Sequence, residues 1–132
     1  MSKADVEMLR AGYKVASRGD WGEVLRNALP DFELRTADRV PNPGTYRGLE
    51  EARRFFEDLF EPFEEVTIEP EEFFEKDDRI AVFVRVRLRP RGSDAEVENR
   101  IGHLWAMRDG KAARLQVFPE REKALEALGL RE

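Results

Sequence analysis

The sequence predicts one α+β domain, in which helices pack on one face of a curved, mostly antiparallel sheet. Three observations predict this class. Apolar residues recur at helical spacing through most of the first 63 positions, and at every second position over much of 64–118. Turn residues separate the later segments. Helices therefore precede most of the strands, which is typical of α+β domains and not of alternating α/β ones.

The composition fits a soluble, cytoplasmic domain spanning residues 1–132. The net charge is −5, charged residues make up 39% of the chain and apolar residues 41%. An acidic chain without a basic patch argues against nucleic acid as a partner. No stretch is long and apolar enough to act as a signal peptide or to cross a membrane. Cysteine is absent and histidine occurs once, so we expect neither disulfides nor a metal site, and no cofactor motif is present.

Two helices are expected at the start of the chain. The first begins near Ser2 and ends at Gly19. Its apolar face comprises Val6, Leu9, Tyr13 and Ala16. Asp20 caps a second, short helix, and Glu23 three residues later completes a capping box.

A strand over 32–36 and an irregular stretch over 37–48 lead into the clearest helix of the chain, over 49–63. The stretch contains Pro41, Pro43 and Gly44, so it is expected to form a rim or lid. The helix carries four phenylalanines, namely Phe55, Phe56, Phe60 and Phe63. Packing in the core is the simplest role for these rings, and the alternative is that some of them line a cavity.

The segments 64–75 and 79–89 predict a β-hairpin with a three-residue turn. Under that register Ile68 lies opposite Val86 and Glu69 opposite Arg85. Val66 and Glu65 are likewise placed opposite Leu88 and Arg89. Apolar residues then meet apolar residues, and acids meet bases. The row of arginines is therefore predicted to be a solvated charge ladder and not an anion site.

Two more strands and a final helix complete the expected order. A strand over 95–107 is followed by the hairpin turn Asp109-Gly110 and a strand over 111–118. Pro119 opens a C-terminal helix, which Gly129 ends.

Short segments spread along nearly the whole chain carry a family resemblance. They are Arg18-Gly19-Asp20, Asp31-Phe32-Glu33-Leu34, Tyr46-Arg47-Gly48, His103-Leu104-Trp105, Arg108-Asp109-Gly110-Lys111 and residues 120–130. In this order and spacing the chain resembles the SnoaL-like branch of the nuclear-transport-factor-2 and ketosteroid-isomerase superfamily. The resemblance implies a cone-shaped sheet wrapped around the N-terminal helices, a pocket at the open end, and a homodimer formed through the sheet face.

The resemblance does not select a reaction, because its members include isomerases, cyclases, epoxide hydrolases, dehydratases and non-catalytic binders. Matching the elements to the steroid isomerases places their catalytic base near Thr36 and their buried acid near Gly102. Neither residue supports that chemistry. Tyr13 lies one residue out of step with the tyrosine of those enzymes. Asp38 reaches the mouth of the pocket only if its loop folds inward.

His103, the sole histidine, is the natural proton-transfer group. Its strand has two apolar faces, so the sequence leaves its orientation open. With the odd positions inward, His103 and Trp105 line the pocket. With the even positions inward, Gly102 and Leu104 line it, and His103 lies at the dimer side. The family match favours the second orientation.

Two functional hypotheses follow. In one, the protein binds a small apolar or amphipathic metabolite and isomerises, cyclises or hydrates it. The proposed catalytic residues are Asp38, Tyr46 and His103, and the proposed ligand-binding residues are Tyr13, Trp21, Tyr46, Phe56, Phe60 and Trp105. In the other, the domain is a non-catalytic dimeric binding or structural module. An enclosed cavity of about 300 Å³ or more with two convergent ionisable side chains separates them.

Overall fold

A computed structural model describes residues 3–36 and 44–129 of the chain. The helices are α1 (Lys3–Ala16), α2 (Trp21–Val24), α3 (Leu49–Phe60) and α4 (Arg121–Leu128), with a 3-10 turn at Leu25–Asn27 after α2. The strands are β1 (Ala28–Thr36), β2 (Gly44–Arg47), β3 (Phe63–Lys76), β4 (Arg79–Pro90), β5 (Val97–Arg108) and β6 (Lys111–Phe118). The expected order of helices and strands is confirmed, and β2 is an additional short strand within the stretch predicted to be irregular.

One curved, unclosed sheet contains all six strands in the order β2-β1-β6-β5-β4-β3. The four strands β3 to β6 form the predicted antiparallel meander. β1 joins this meander in parallel with β6, and β2 pairs antiparallel with β1. The prediction of a mostly antiparallel α+β fold is therefore confirmed.

The β3–β4 hairpin has the predicted register for a different reason from the one assumed. Ile68 pairs with Val86 and Glu69 with Arg85, as expected. The turn, however, holds two residues, because Lys76 pairs with Arg79. An irregularity between Pro70 and Glu72 shifts the ladder by one residue and restores the predicted pairs beyond it.

The main core lies between the inner face of the sheet and helices α1 to α3. Every second residue of β4 enters it, namely Ile80, Val82, Val84, Val86 and Leu88. Of the capping box predicted for α2, the N-cap half is confirmed, since the Asp20 carboxylate accepts a hydrogen bond of 3.1 Å from the backbone N–H of Glu23; the Glu23 carboxylate pairs with Arg26 instead. Such a cap stabilises a four-residue helix that is too short to form alone.

Helix α4 packs on the opposite, outer face of the sheet, so the expectation that all helices share one face was wrong for this element. Ala124 and Leu128 of α4 form a second small core with Ala81 and Leu104. The Arg79 guanidinium donates hydrogen bonds of 3.1 Å to the carbonyl oxygens of Ala127 and Leu128 and so closes the end of the helix. A second apolar layer therefore supports the sheet from behind.

Candidate functional site

A cavity of about 180 Å³ lies between the N-terminal helices and the inner face of the sheet. Its walls are mainly apolar and come from α1, α2, α3 and all the strands except β2. The volume is smaller than the 300 Å³ that we set as the mark of an enzyme pocket. The cavity is nevertheless hollow, and the ionisable residues Tyr13, Glu23 and His103 lie on its wall.

Three polar side chains form a hydrogen-bonded chain on one wall of the cavity. The Tyr13 hydroxyl lies 2.7 Å from Nδ1 of His103, and Nε1 of Trp105 donates to the same hydroxyl over 3.0 Å. Tyr13 is on the buried stripe of α1, with Leu9 and Ala16 one turn away on either side. His103 and Trp105 are two residues apart on β5, so they point to the same face of the sheet. Helical and strand periodicity thus bring together residues about 90 positions apart.

The orientation of β5 is the reverse of the one that the family match favoured. His103 and Trp105 line the cavity, and on the neighbouring strand β6 they pair with Val117 and Leu115, respectively. Gly102 lies on the outer face, where an added Cβ would be only 2.7 Å from Cβ of Ala124. The close approach of α4 therefore fixes the phase of this strand, and the expectation that His103 lies at the dimer side was wrong.

Burial keeps both ionisable members of the chain uncharged. Desolvation lowers the pKa of the His103 imidazole to about 3. It raises the pKa of the Tyr13 hydroxyl well above its usual range, against a smaller opposite effect of the hydrogen bond from Trp105. At neutral pH the site therefore holds a phenol and a neutral imidazole, and neither group carries charge into the cavity.

The hydrogen-bond network selects one tautomer of His103. The Tyr13 oxygen accepts a hydrogen bond from the Trp105 N–H, and its own hydroxyl can donate a hydrogen bond to Nδ1 of His103. With the opposite tautomer, that hydroxyl proton would have no acceptor among residues 3–36 and 44–129. Nδ1 is therefore the acceptor, and Nε2 carries the imidazole proton. This N–H has no partner within the same residues.

Aromatic rings form another part of the wall. The Trp21 ring stacks with the Phe56 ring at a centroid distance of 4.7 Å and with the Phe60 ring at 5.3 Å. Trp21 comes from α2 and both phenylalanines from α3, so the stack joins the two helices. These three residues were among those singled out from the sequence, and all of them line the cavity.

Other residues singled out from the sequence lie elsewhere. Tyr46 is on β2, with its ring 4.7 Å from that of Phe55, and it does not line the described cavity. Asp38 lies outside the described residues. The Thr36 hydroxyl bonds to the backbone of Gly44 at the end of β1, away from the cavity wall.

Sequence reasoning missed the contact between Tyr13 and His103, although it singled out both residues. It also missed the lining residues Gly12, Glu23 and Asn27. The only signal for Gly12 was a glycine inside a helical pattern. Within the described ranges, no group of three acidic or histidine residues is placed to hold a metal ion. None of the described helices is long and apolar enough to cross a membrane.

Comparison with solved structures and sequence families places the fold. TerC, in a crystal structure with polyporic acid, is 23% identical over 96% of this chain and 99% of TerC, with a TM-score of 0.78. An NTF2-like protein of unknown function from Burkholderia pseudomallei is 22% identical over 97% of this chain and 98% of its own, with a TM-score of 0.78.

A protein from Catenulispora acidiphila with a ketosteroid-isomerase-like fold, in complex with trimethylamine, is 12% identical. It covers 99% of this chain and 96% of its own, with a TM-score of 0.74. At these identities the likeness shows the fold alone. No curated protein matches the sequence. The sequence profile of the SnoaL-like domain matches residues 9–115, and the chain therefore belongs to the SnoaL-like family.

Proposed function

We propose that the protein binds a small, neutral, largely apolar molecule in the cavity, and that His103 donates a hydrogen bond to it through Nε2. The observation that carries this proposal is the buried imidazole on the cavity wall, whose Nδ1 is already bonded to Tyr13. The Nε2–H has no hydrogen-bond partner among residues 3–36 and 44–129, so a ligand oxygen in the cavity would supply its acceptor. Carbonyl, ether and phenol oxygens are acceptors of this kind.

The size and polarity of the cavity limit the ligand. An apolar cavity of about 150 Å³ holds benzene, and the cavity here is about 180 Å³. One substituted aromatic ring is therefore the expected size. A charged ligand is disfavoured, because no described group on the wall offers a full opposite charge except Glu23, which is paired with Arg26 at 2.8 Å. TerC was crystallised with polyporic acid and the Catenulispora protein with trimethylamine, which supports a small-molecule ligand for this fold.

A titration with three probes of similar shape tests the proposal. Acetophenone offers a carbonyl oxygen, ethylbenzene lacks an acceptor, and benzoate carries a charge. Trp21 and Trp105 both line the cavity, so their fluorescence reports binding. We expect acetophenone to bind about fivefold more tightly than ethylbenzene, and benzoate not to bind, since one hydrogen bond contributes about 1 kcal/mol.

Matched variants locate the hydrogen bond. His103→Phe is expected to abolish the preference for acetophenone over ethylbenzene. Arg100→Gln, which changes an exposed residue of the same strand, is expected to preserve it. Equal affinities for the two probes in the unchanged protein would exclude a donor role for His103. Failure of every probe to bind or to raise the melting temperature would exclude the ligand class.

Catalysis is the second candidate. The observation that favours it is the pair of neutral, buried hydrogen-bonding groups, because steroid isomerases polarise a carbonyl with a tyrosine beside a neutral acid. Here His103 would donate to the carbonyl oxygen and Glu23, on the cavity wall, would remove the adjacent proton. Exchange of the methyl protons of acetophenone for deuterium, followed by NMR, tests this role. Exchange that Glu23→Gln leaves unchanged would exclude it.

We also propose that two copies associate through the part of the outer face of β3, β4 and β5 that α4 leaves uncovered. Rows of arginine and glutamate alternate there, so a second copy related by a two-fold axis offers complementary charges. Light scattering at micromolar concentration is expected to give twice the 15.4 kDa mass of the chain. A monomer mass would exclude this association.

A further inference from the structure

We propose that the gap between α1 and the segment of α2 with its following turn is the portal through which the ligand enters, and that Gly12 sets its width. This inference rests on the proposed ligand-binding function and adds the residue that selects ligands by size at the entrance. It concerns the route into the cavity, whereas the previous proposal concerns the contacts inside it.

Solvent exposure of the lining residues locates the portal. Among the described residues that line the cavity, Ala11 on α1 and Asn27 in the 3-10 turn are exposed to solvent, and the others are half-buried or buried. Gly12, which is next to Ala11, and Val24, which is on α2, are half-buried. On the opposite wall, the sheet residues Ile68, Val86 and Leu115 are buried. The cavity therefore approaches solvent on the helical side.

Close packing does not explain why position 12 is a glycine. It lies inside a 14-residue helix, where glycine is a poorer helix former than alanine. A Cβ added at this position would meet no described heavy atom within 4 Å apart from its own helix and chain neighbours. Gly102 is the contrasting case, because α4 leaves it no room. The absence of a side chain at Gly12 therefore keeps space open at the cavity edge.

Neighbours on α1 show what a side chain at position 12 would do. Met8 and Val15, about one turn away on either side, both line the cavity with their side chains. Leucine at position 12 would join them into a continuous apolar ridge facing Val24 across the gap. This ridge would obstruct entry and exit alike while leaving His103, at the inner wall, unchanged.

Rates of binding separate a portal from a wall. Stopped-flow tryptophan fluorescence with acetophenone gives the association and dissociation rates of the unchanged protein, Gly12→Ala and Gly12→Leu. We expect Gly12→Leu to slow both rates at least tenfold with less than a threefold change in Kd, and Gly12→Ala to have a smaller effect. Ala4→Leu adds bulk to an exposed position of the same helix, away from the cavity, and is expected to leave both rates unchanged.

Two kinetic outcomes would overturn the portal and leave ligand binding intact. In one, both rates of Gly12→Leu remain within twofold of those of the unchanged protein, so the ligand enters elsewhere. In the other, dissociation accelerates and affinity falls, so position 12 is part of the binding wall. Either result is recognisable because the unchanged protein still binds acetophenone.

Acrylamide quenching tests the portal without the proposed ligand. Trp21 and Trp105 both line the cavity, and Trp21 also borders a second surface pocket near Ser17 and Gly19. The quenching is therefore measured in a Trp21→Phe background, in which Trp105 reports the quencher in the cavity. Gly12→Leu is expected to lower the quenching constant at least twofold relative to Ala4→Leu. An unchanged quenching constant would exclude the portal even if acetophenone fails to bind. Reduced quenching without binding would preserve the portal and exclude the ligand.

Discussion

Between Gly102 and Trp105, the two faces of β5 are packed in opposite ways: the outer face is tightly packed and the inner face borders a cavity. On the outer face, Gly102 is in such close contact with α4 that an added Cβ would lie 2.7 Å from Cβ of Ala124 and 2.9 Å from Cα of Arg121. On the inner face, His103 and Trp105 border a cavity of about 180 Å³. Well-packed layers stabilise a fold, whereas a cavity forfeits contacts. We infer that the close packing of α4 on the outer face offsets part of the stability that the cavity costs on the inner face.

The largest expected effect is at Gly102. Gly102→Ala forces α4 away from the sheet, and such overpacking costs about 2 kcal/mol of the free energy of unfolding. Urea unfolding followed by circular dichroism measures it. Gly22→Ala is the matched control, because a Cβ there meets only Oδ1 of Asp20 at an ordinary 3.8 Å. If Gly102→Ala is as stable as the control, α4 does not restrain this face.

The contrast between the faces also explains which features of the fold could be predicted. The β3–β4 register followed from local pairing, because a one-residue slip would separate Ile68 from Val86 and Glu69 from Arg85. The phase of β5 did not follow, since apolar residues occur on both of its faces. The missing information was the position of α4 on the outer face, which depends on contacts between Gly102 and Ala124 that no local pattern records.

The candidate site was predictable only in part for the same reason. Tyr13 stood out by helical spacing and His103 by being the only histidine. Their contact requires α1 to lie over β5 with the odd residues inward, which is a tertiary arrangement. Tyr46 was predicted to line the pocket, and the structure places it on the short strand β2, within the stretch predicted to be irregular and outside the wall of the described cavity.

The next-largest effect tests whether the hydrogen bonds among Tyr13, His103 and Trp105 offset part of the stability that the cavity costs. Tyr13→Phe removes the hydroxyl and leaves the Trp105 N–H and Nδ1 of His103 without their partner. We expect a loss of about 1.5 kcal/mol, since unsatisfied buried groups cost about 1–3 kcal/mol. A double-mutant cycle with Trp105→Phe isolates the hydrogen bond. Purely additive losses in the free energy of unfolding would show that the Tyr13 and Trp105 side chains are not energetically coupled.

The inner face should also make stability depend on pH. The pKa of His103 is about 3 in the folded protein, and about 6.5 is expected for the unfolded chain. Between these values the unfolded state binds a proton that the folded state does not, so stability falls as the pH is lowered. We expect a loss of about 1 kcal/mol from pH 6 to pH 5.

His103→Phe provides the control for this pH dependence. Because the chain has one histidine, the variant should remove most of the slope between pH 7 and pH 5. Urea midpoints at half-unit pH steps measure it. A slope that persists in His103→Phe would assign the proton uptake to carboxylates instead, and the inner face would then not hold a desolvated imidazole.

The smallest effect is expected for the charge ladder that arginines and glutamates of β3 and β4 form on the outer face of the sheet. The Glu69 carboxylate accepts hydrogen bonds from Arg85 at 2.9 Å and Arg87 at 2.8 Å, and the first of these bonds is the main cause of its lowered pKa. Because solvent screens these groups, Glu69→Gln is expected to cost about 0.5 kcal/mol at low salt and almost nothing in 1 M NaCl. Urea unfolding at the two salt concentrations measures the difference. If Glu69→Gln costs as much as Tyr13→Phe and resists salt, polar contacts outside the cavity stabilise the sheet as strongly as those inside. The contrast between the two faces would then come from the apolar contact with α4 alone.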